Sequence, residues 1–318
     1  MLRRILPLLT VLALLLTAGC GTPQPNRDSA AAHRRERGRT PARLAAVSAA
    51  APRRRDMATA EFHAALAEGN ETVRLDLSAT REGYFGVSAR SDKRLKLQVI
   101  KDELTYTYNI ASDGTPSIFP LQSGSGEYFI RVLENVADKK YAEIYSVTAN
   151  VTLADDYQPY LRPSDYVSYS ASSNCVVKAA ELAAGATSKL DVVKAVYSYI
   201  CGAVTYDVQK AATVRSGYLP VPDETMRTGK GICFDYAALA AAMLRSQGIP
   251  TKVIFGYVSP DGLYHAWNMF YTVETGWVTV SYEVSASNWN RLDLTFSAGG
   301  AADSFVGDGQ NYSDVYQY

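Results

Sequence analysis

Histidine and cysteine are scarce in this 318-residue chain, with three of the first and four of the second. No CxxC, HxxxH or HExxH spacing joins them, so a multi-ligand zinc site is not expected. A DxDxDG calcium loop is also missing, and no cofactor is implied. Net charge is absent too, because 32 basic residues balance 32 acidic ones. That balance averages two unlike parts. Residues 1–57 carry eleven arginines against three acids, which leaves 21 basic and 29 acidic residues downstream. The downstream part is therefore acidic, which argues against a nucleic-acid partner, since that needs clustered Lys and Arg on a folded face. What is plentiful is apolar content, 47% of the chain, enough for one large core or two ordinary ones.

Arg3 and Arg4 precede the apolar run Ile5 to Ala18, which is short for a bilayer span and ends in small residues, as a secretory signal does. Cys20 follows Ala18-Gly19 and resembles the lipidated cysteine of bacterial lipoproteins, with Thr17 where that pattern usually has leucine. The plainer alternative is a cleaved signal with an incidental cysteine. Lipidation implies a signal peptide over 1–19, an anchor at Cys20, and a location on the outer side of a bacterial membrane. Residues 20–57 are rich in Ala, Arg, Pro, Ser and Thr, and read as a flexible basic tether.

Residues 58–160 read as a β-sandwich domain. Val73/Leu75/Leu77, Leu95/Leu97/Val99, Leu104/Tyr106/Tyr108/Ile110, Tyr128/Ile130/Val132 and Val147/Ala149/Val151/Leu153 alternate with the period of a half-buried strand. Turn residues separate them, including Ser112-Asp113-Gly114 and Ser123-Gly124-Ser125-Gly126. Alternating tyrosines here read as packing, with a sugar- or protein-binding face as the alternative. His63, in a short helix-like run before the first strand, reads as a surface or packing residue.

The period changes to that of a helix at Cys175, so the fold class is α+β, with residues 161–318 as the second domain. Val176/Val177/Ala180/Ala184 and Val192/Val193/Val196/Tyr197/Ile200 predict two antiparallel helices. That hairpin brings Cys175 and Cys201 to one end of the pair, a disulfide candidate in an exported chain. A third helix starts at Cys233 and stops at Gly248-Ile249-Pro250. A thiol on a helix's first turn faces unpaired amides and the positive end of the dipole, which lower its pKa and can hold an oxyanion. The other reading is a buried structural cysteine. A nucleophilic thiol needs a base, and His265, opening the strand-like run His265 to Tyr271, is in a position to serve. The residue orienting that imidazole is sought among Glu274, Glu283 and Asp293.

The blocks Gly229-Lys230-Gly231-Ile232-Cys233-Phe234-Asp235-Tyr236-Ala237, Leu244-Arg245-Ser246-Gln247-Gly248-Ile249-Pro250, Gly256-Tyr257 and Tyr264-His265-Ala266-Trp267-Asn268 resemble the transglutaminase-like superfamily. The resemblance implies a papain-like α+β fold with a Cys-His-Asp triad, here Cys233, His265 and an acid. The family places that acid four residues after a tryptophan. Counting from Trp277 reaches Ser281, and counting from Trp289 reaches Asp293, the preferred assignment, with Trp277 to Val284 as an inserted strand or hairpin. Tyr206 and Trp267 are candidates for oxyanion or substrate contact, Tyr206 with a core role as the equal alternative. The implied activity is acyl transfer on protein or peptide amides at the cell surface, to an amine or to water. The alternative is a non-catalytic binding or scaffold module that keeps the papain-like fold.

Overall fold

The period-two segments pair into two antiparallel sheets. The computed structural model describes residues 57–258, 263–284, 292–298 and 312–318, with the backbone alone at 258, 263, 280–284, 292–298 and 312–314. The expected signal segment, Cys20 and the tether up to residue 56 lie outside the described residues. One sheet holds β1 (Glu68–Gly69), β2 (Val73–Asp76), β3 (Tyr84–Ala89) and β6 (Ser117–Pro120). The other holds β4 (Leu95–Lys101), β5 (Leu104–Ile110), β7 (Gly126–Ala137) and β8 (Lys140–Val151), in the order β5-β4-β7-β8. Their inner faces meet through Phe119, whose ring centroid lies 4.7 Å from Tyr108 and 5.8 Å from Phe85. Tyr106, Tyr108 and Tyr128 are buried, so these alternating tyrosines pack. The run around His63 is a turn, and no helix forms there. His63 instead gives its backbone N–H to the buried carboxylate of Asp76, at 2.6 Å.

The second half is built on α1 (Asn174–Ala183), α2 (Lys189–Ala203), the two-residue strand β9 (Thr205–Tyr206), α3 (Val208–Thr213), α4 (Pro222–Thr228), β10 (Lys230–Gly231) and α5 (Cys233–Ser246). A five-stranded antiparallel sheet follows, from β11 (Thr251–Val258), β12 (Leu263–Thr272), β13 (Gly276–Val284), β14 (Leu292–Ala298) and β15 (Tyr312–Gln317), in the order β14-β13-β12-β11-β15. In α2 every residue of the predicted face is buried. In α1 the buried face is Cys175, Val176, Ala179 and Ala183, one residue round from the expected stripe, and Val177 is exposed. Helix α5 is buried from Phe234 to Ser246, because α1, α2 and α4 surround it and β11 and β12 lie beneath it. It ends where the sequence predicts, with Gly248 at φ +66°.

The predicted boundary around 157–164 is firmly held at both sides. Arg162 donates to the Glu82 carbonyl at 2.8 Å, the Tyr160 hydroxyl reaches the Gln122 carbonyl at 3.0 Å, and Tyr157 stacks on Tyr271 of β12 at 4.2 Å. Tyr318, next to β15, packs against Tyr106 and Tyr108 of the sandwich. One apolar core therefore runs from the sandwich through the helices.

The expected Cys175–Cys201 disulfide is not formed. The hairpin does bring α1 and α2 together, but the Cys175 thiol turns towards the Asp223 carboxylate of α4, which also accepts the Cys175 backbone N–H at 2.8 Å. Burial and that carboxylate push the thiol far above its ordinary range. Cys201 faces Tyr197 and Tyr236 instead.

Candidate active site

Cys233 is the first residue of α5, half-buried, on the floor of a cleft of about 700 Å³. His265, Ala266, Tyr206, Phe234, Tyr218 and Tyr264 also line it. The position of the thiol follows from local chain direction. Extended Ile232 feeds the helix, and β10 pairs in parallel with β9, setting Gly231 opposite Tyr206. The cleft thus brings together Cys233, His265 and Tyr206 as the sequence predicts. It leaves out Trp267, a correction to the expectation of substrate contact: the indole is wholly buried and does not line the cleft.

Backbone amides of Ala266 and Phe234, and that of Cys233 itself, lie near the sulfur. They favour the thiolate but do not win. Burial disfavours the charge more strongly, the Asp235 carboxylate adds to it, and the Cys233 pKa lies above the ordinary thiol value. The helix position alone predicts the opposite direction, and burial, which only the tertiary packing sets, is the physical reason for the difference. Burial likewise holds the His265 imidazole below the ordinary histidine value, against the opposing effect of the Ala266 backbone. The resting pair is therefore a neutral thiol beside a neutral imidazole. Tyr206 faces the same sulfur, and burial raises its phenol pKa.

The third member is less fully placed. Glu274 lies in the turn after β12, at the far end of that strand from His265. Ser281 and Glu283 lie on β13, the direct neighbour of β12, and Asp293 lies on β14, opposite Glu283. The side chains of Ser281, Glu283 and Asp293 lie outside the described residues. The inserted strand or hairpin expected over Trp277 to Val284 is a single strand, β13, and Asp293 lies on the next, β14. His265 Nδ1 is buried and meets no hydrogen-bond partner among the described residues.

Sequence reasoning passed over a second layer. Asn268, wholly buried on β12, donates to the Ala237 carbonyl of α5 and the Lys252 carbonyl of β11, both at 3.0 Å, and locks the His265 strand to the Cys233 helix. Asp235, also wholly buried, accepts the Ile232 N–H at 2.8 Å. Its place as the third residue of the helix, where a carboxylate reaches back to the cap, was the readable signal. Gly231 is required by that contact, since a Cβ there would lie 2.6 Å from the Asp235 Cβ.

Residues 177–282 match the model of the transglutaminase-like superfamily, a match that includes Ser281 and stops short of Asp293. A protein-glutamine gamma-glutamyltransferase of Pseudomonas aeruginosa is 30% identical over 124 residues, 35% of this chain and 17% of that protein. The kyphoscoliosis peptidase of Mus musculus is 29% identical over 114 residues, 36% of this chain and 17% of that protein. The chain thus spans about a sixth of the length of these curated relatives. A solved structure from Cytophaga hutchinsonii, described as a candidate cysteine protease, is 18% identical with a TM-score of 0.36, covering 78% of this chain and 83% of that one.

Proposed function

Residues 177–282 belong to the transglutaminase-like superfamily, and from that premise we propose that the protein is a thiol enzyme that transfers acyl groups from protein or peptide amides. The observation that carries the reading is one cleft lined by a half-buried thiol at a helix N-terminus, with backbone amides near its sulfur, and by a histidine on the adjoining strand. His265 takes the Cys233 proton as sulfur attacks the amide carbon, forming a C–S bond. Amides of the first helical turn stabilise the negative oxygen of the tetrahedral intermediate. His265 then gives its proton to the leaving amine as the C–N bond breaks, leaving a thioester. An acceptor amine or water attacks that thioester and passes its proton to His265, the C–S bond breaks, and His265 returns the proton to the sulfur, regenerating the thiol. Asp293 is proposed as the acid that orients His265.

The test is incubation with a glutamine-containing protein and a labelled primary amine, with mass spectrometry of the product. Amine incorporation, deamidation or backbone cleavage that depends on Cys233 supports the reading and identifies the acceptor. No change in the substrate, with the chain folded, rejects it.

Export with a lipid on Cys20 completes the proposal, resting on the Arg3-Arg4 head, the apolar run and Ala18-Gly19-Cys20. Cys20→Ala is expected to move the protein from the membrane fraction to the soluble fraction. Retention in the membrane would refute lipidation.

A further inference from the structure

The cleft wall from Ala211 to Gly217 is exposed along its whole length, yet Ala211, Val214, Arg215, Ser216 and Gly217 all line the cleft. Its two ends are pinned at one point. Lys210 Nζ donates to Asp235 Oδ2 at 2.7 Å and to the Tyr218 hydroxyl at 2.7 Å, and the Tyr218 hydroxyl donates to Asp235 Oδ1. The ammonium also lies 4.4 Å from the Tyr218 ring centroid. Asp235 stands two residues after Cys233 on the same helix and is wholly buried.

We propose that Lys210, Tyr218 and Asp235 form a clamp that fixes this wall to the helix bearing Cys233 and cancels the Asp235 charge beside the sulfur. The proposal rests on Cys233 as the reacting group and adds three positioning residues to it. The sulfur is faced by Tyr206 from β9, by Tyr264 and His265 from β12, and by Asp235 from its own helix. Among those described groups Asp235 is the one carboxylate, and it pushes the thiol pKa up. Lys210 is the cation that meets it. Burial works against the Lys210 charge, but hydrogen bonds to Asp235 and Tyr218 outweigh it and hold Lys210 above the ordinary lysine value. A buried carboxylate stripped of this partner would act undiminished on a sulfur two residues away.

The test is the pH dependence of Cys233 alkylation by iodoacetamide in the full chain, which needs no turnover. Lys210→Met is expected to move the midpoint up by about one pH unit, Asp235→Asn to move it down, and the double variant to restore it. The double variant should still show a raised KM for the peptide amide, because the wall remains unpinned. A bracing role alone would leave the midpoint unmoved, so equal midpoints in native protein and Lys210→Met overturn the proposal. If Lys210→Met does not fold, Asp235→Asn decides, and an unmoved midpoint there overturns it equally. Absent acyl transfer with the expected midpoints rejects the enzymatic reading and leaves the clamp standing.

Discussion

His265→Ala and Cys233→Ser are each expected to lower acyl transfer at neutral pH by about a thousandfold or more, with the fold intact. Burial moves the two groups in opposite directions, the thiol up and the imidazole down, so the proton rests on sulfur. With the proton resting on sulfur, His265 is expected to remove it as the sulfur attacks. The rate should climb with pH as His265 loses its proton, with a midpoint below the ordinary histidine value. A solvent deuterium isotope effect should accompany it. A pH-independent rate from pH 5 to 8, or full activity in His265→Ala, would defeat this mechanism. Stability shifts with pH in the same sense. Above the unfolded histidine pKa, His265 is neutral in both states. As pH falls below that value the unfolded chain takes the proton first, so stability decreases down to the lower folded pKa and then levels off. Chemical denaturation of native protein and His265→Gln across this range isolates the contribution.

Arg245→Met is expected to destabilise the protein by about 3 to 5 kcal/mol, a large share of the 5 to 15 kcal/mol typical of a folded domain. Arg245 is wholly buried on α5 and forms no ion pair with an Asp or Glu side chain among the described residues. Backbone oxygens hold it instead. Nε donates to Thr251 at 2.9 Å, Nη1 to Arg162 at 2.8 Å and Nη2 to Tyr318 at 2.9 Å. Burial lowers its pKa to about 10, so it stays charged at neutral pH. This guanidinium joins the Cys233 helix to the start of β11, to the crossing from the sandwich and to the end of β15. Methionine approximates its volume but takes this donor from the Thr251 and Arg162 oxygens and leaves the Tyr318 oxygen with the Val253 N–H alone, at about 1 to 3 kcal/mol per orphaned group before relaxation. Arg245→Lys, with fewer donors and no planar fork, should recover only part of the loss. An urea midpoint for Arg245→Met within error of the native one would refute the assignment.

Local pattern made much of this molecule legible. Strands with one buried face, such as β4 at Leu95/Leu97/Val99, show a period of two, and α2 shows its whole buried stripe. The start of α5 at Cys233 and its stop before Gly248 are written in residues next to the helix itself. β3 was not legible, because five of its six residues are buried and no alternation survives. The short helices α3 and α4 bury two residues between them and leave no stripe to read.

The sequence by itself singled out the candidate pair, since its few cysteines and histidines leave Cys233 on a helix start and His265 on a strand of the sheet that follows. Tertiary structure alone decided the protonation of that pair, the separate surroundings of the Cys175 and Cys201 thiols, and the partners of Arg245 and Asp235. The division has a physical cause. Periodicity and capping act between residues a few positions apart, whereas burial, field and hydrogen bonding at these groups come from segments far along the chain, as when Arg245 meets Arg162 and Tyr318.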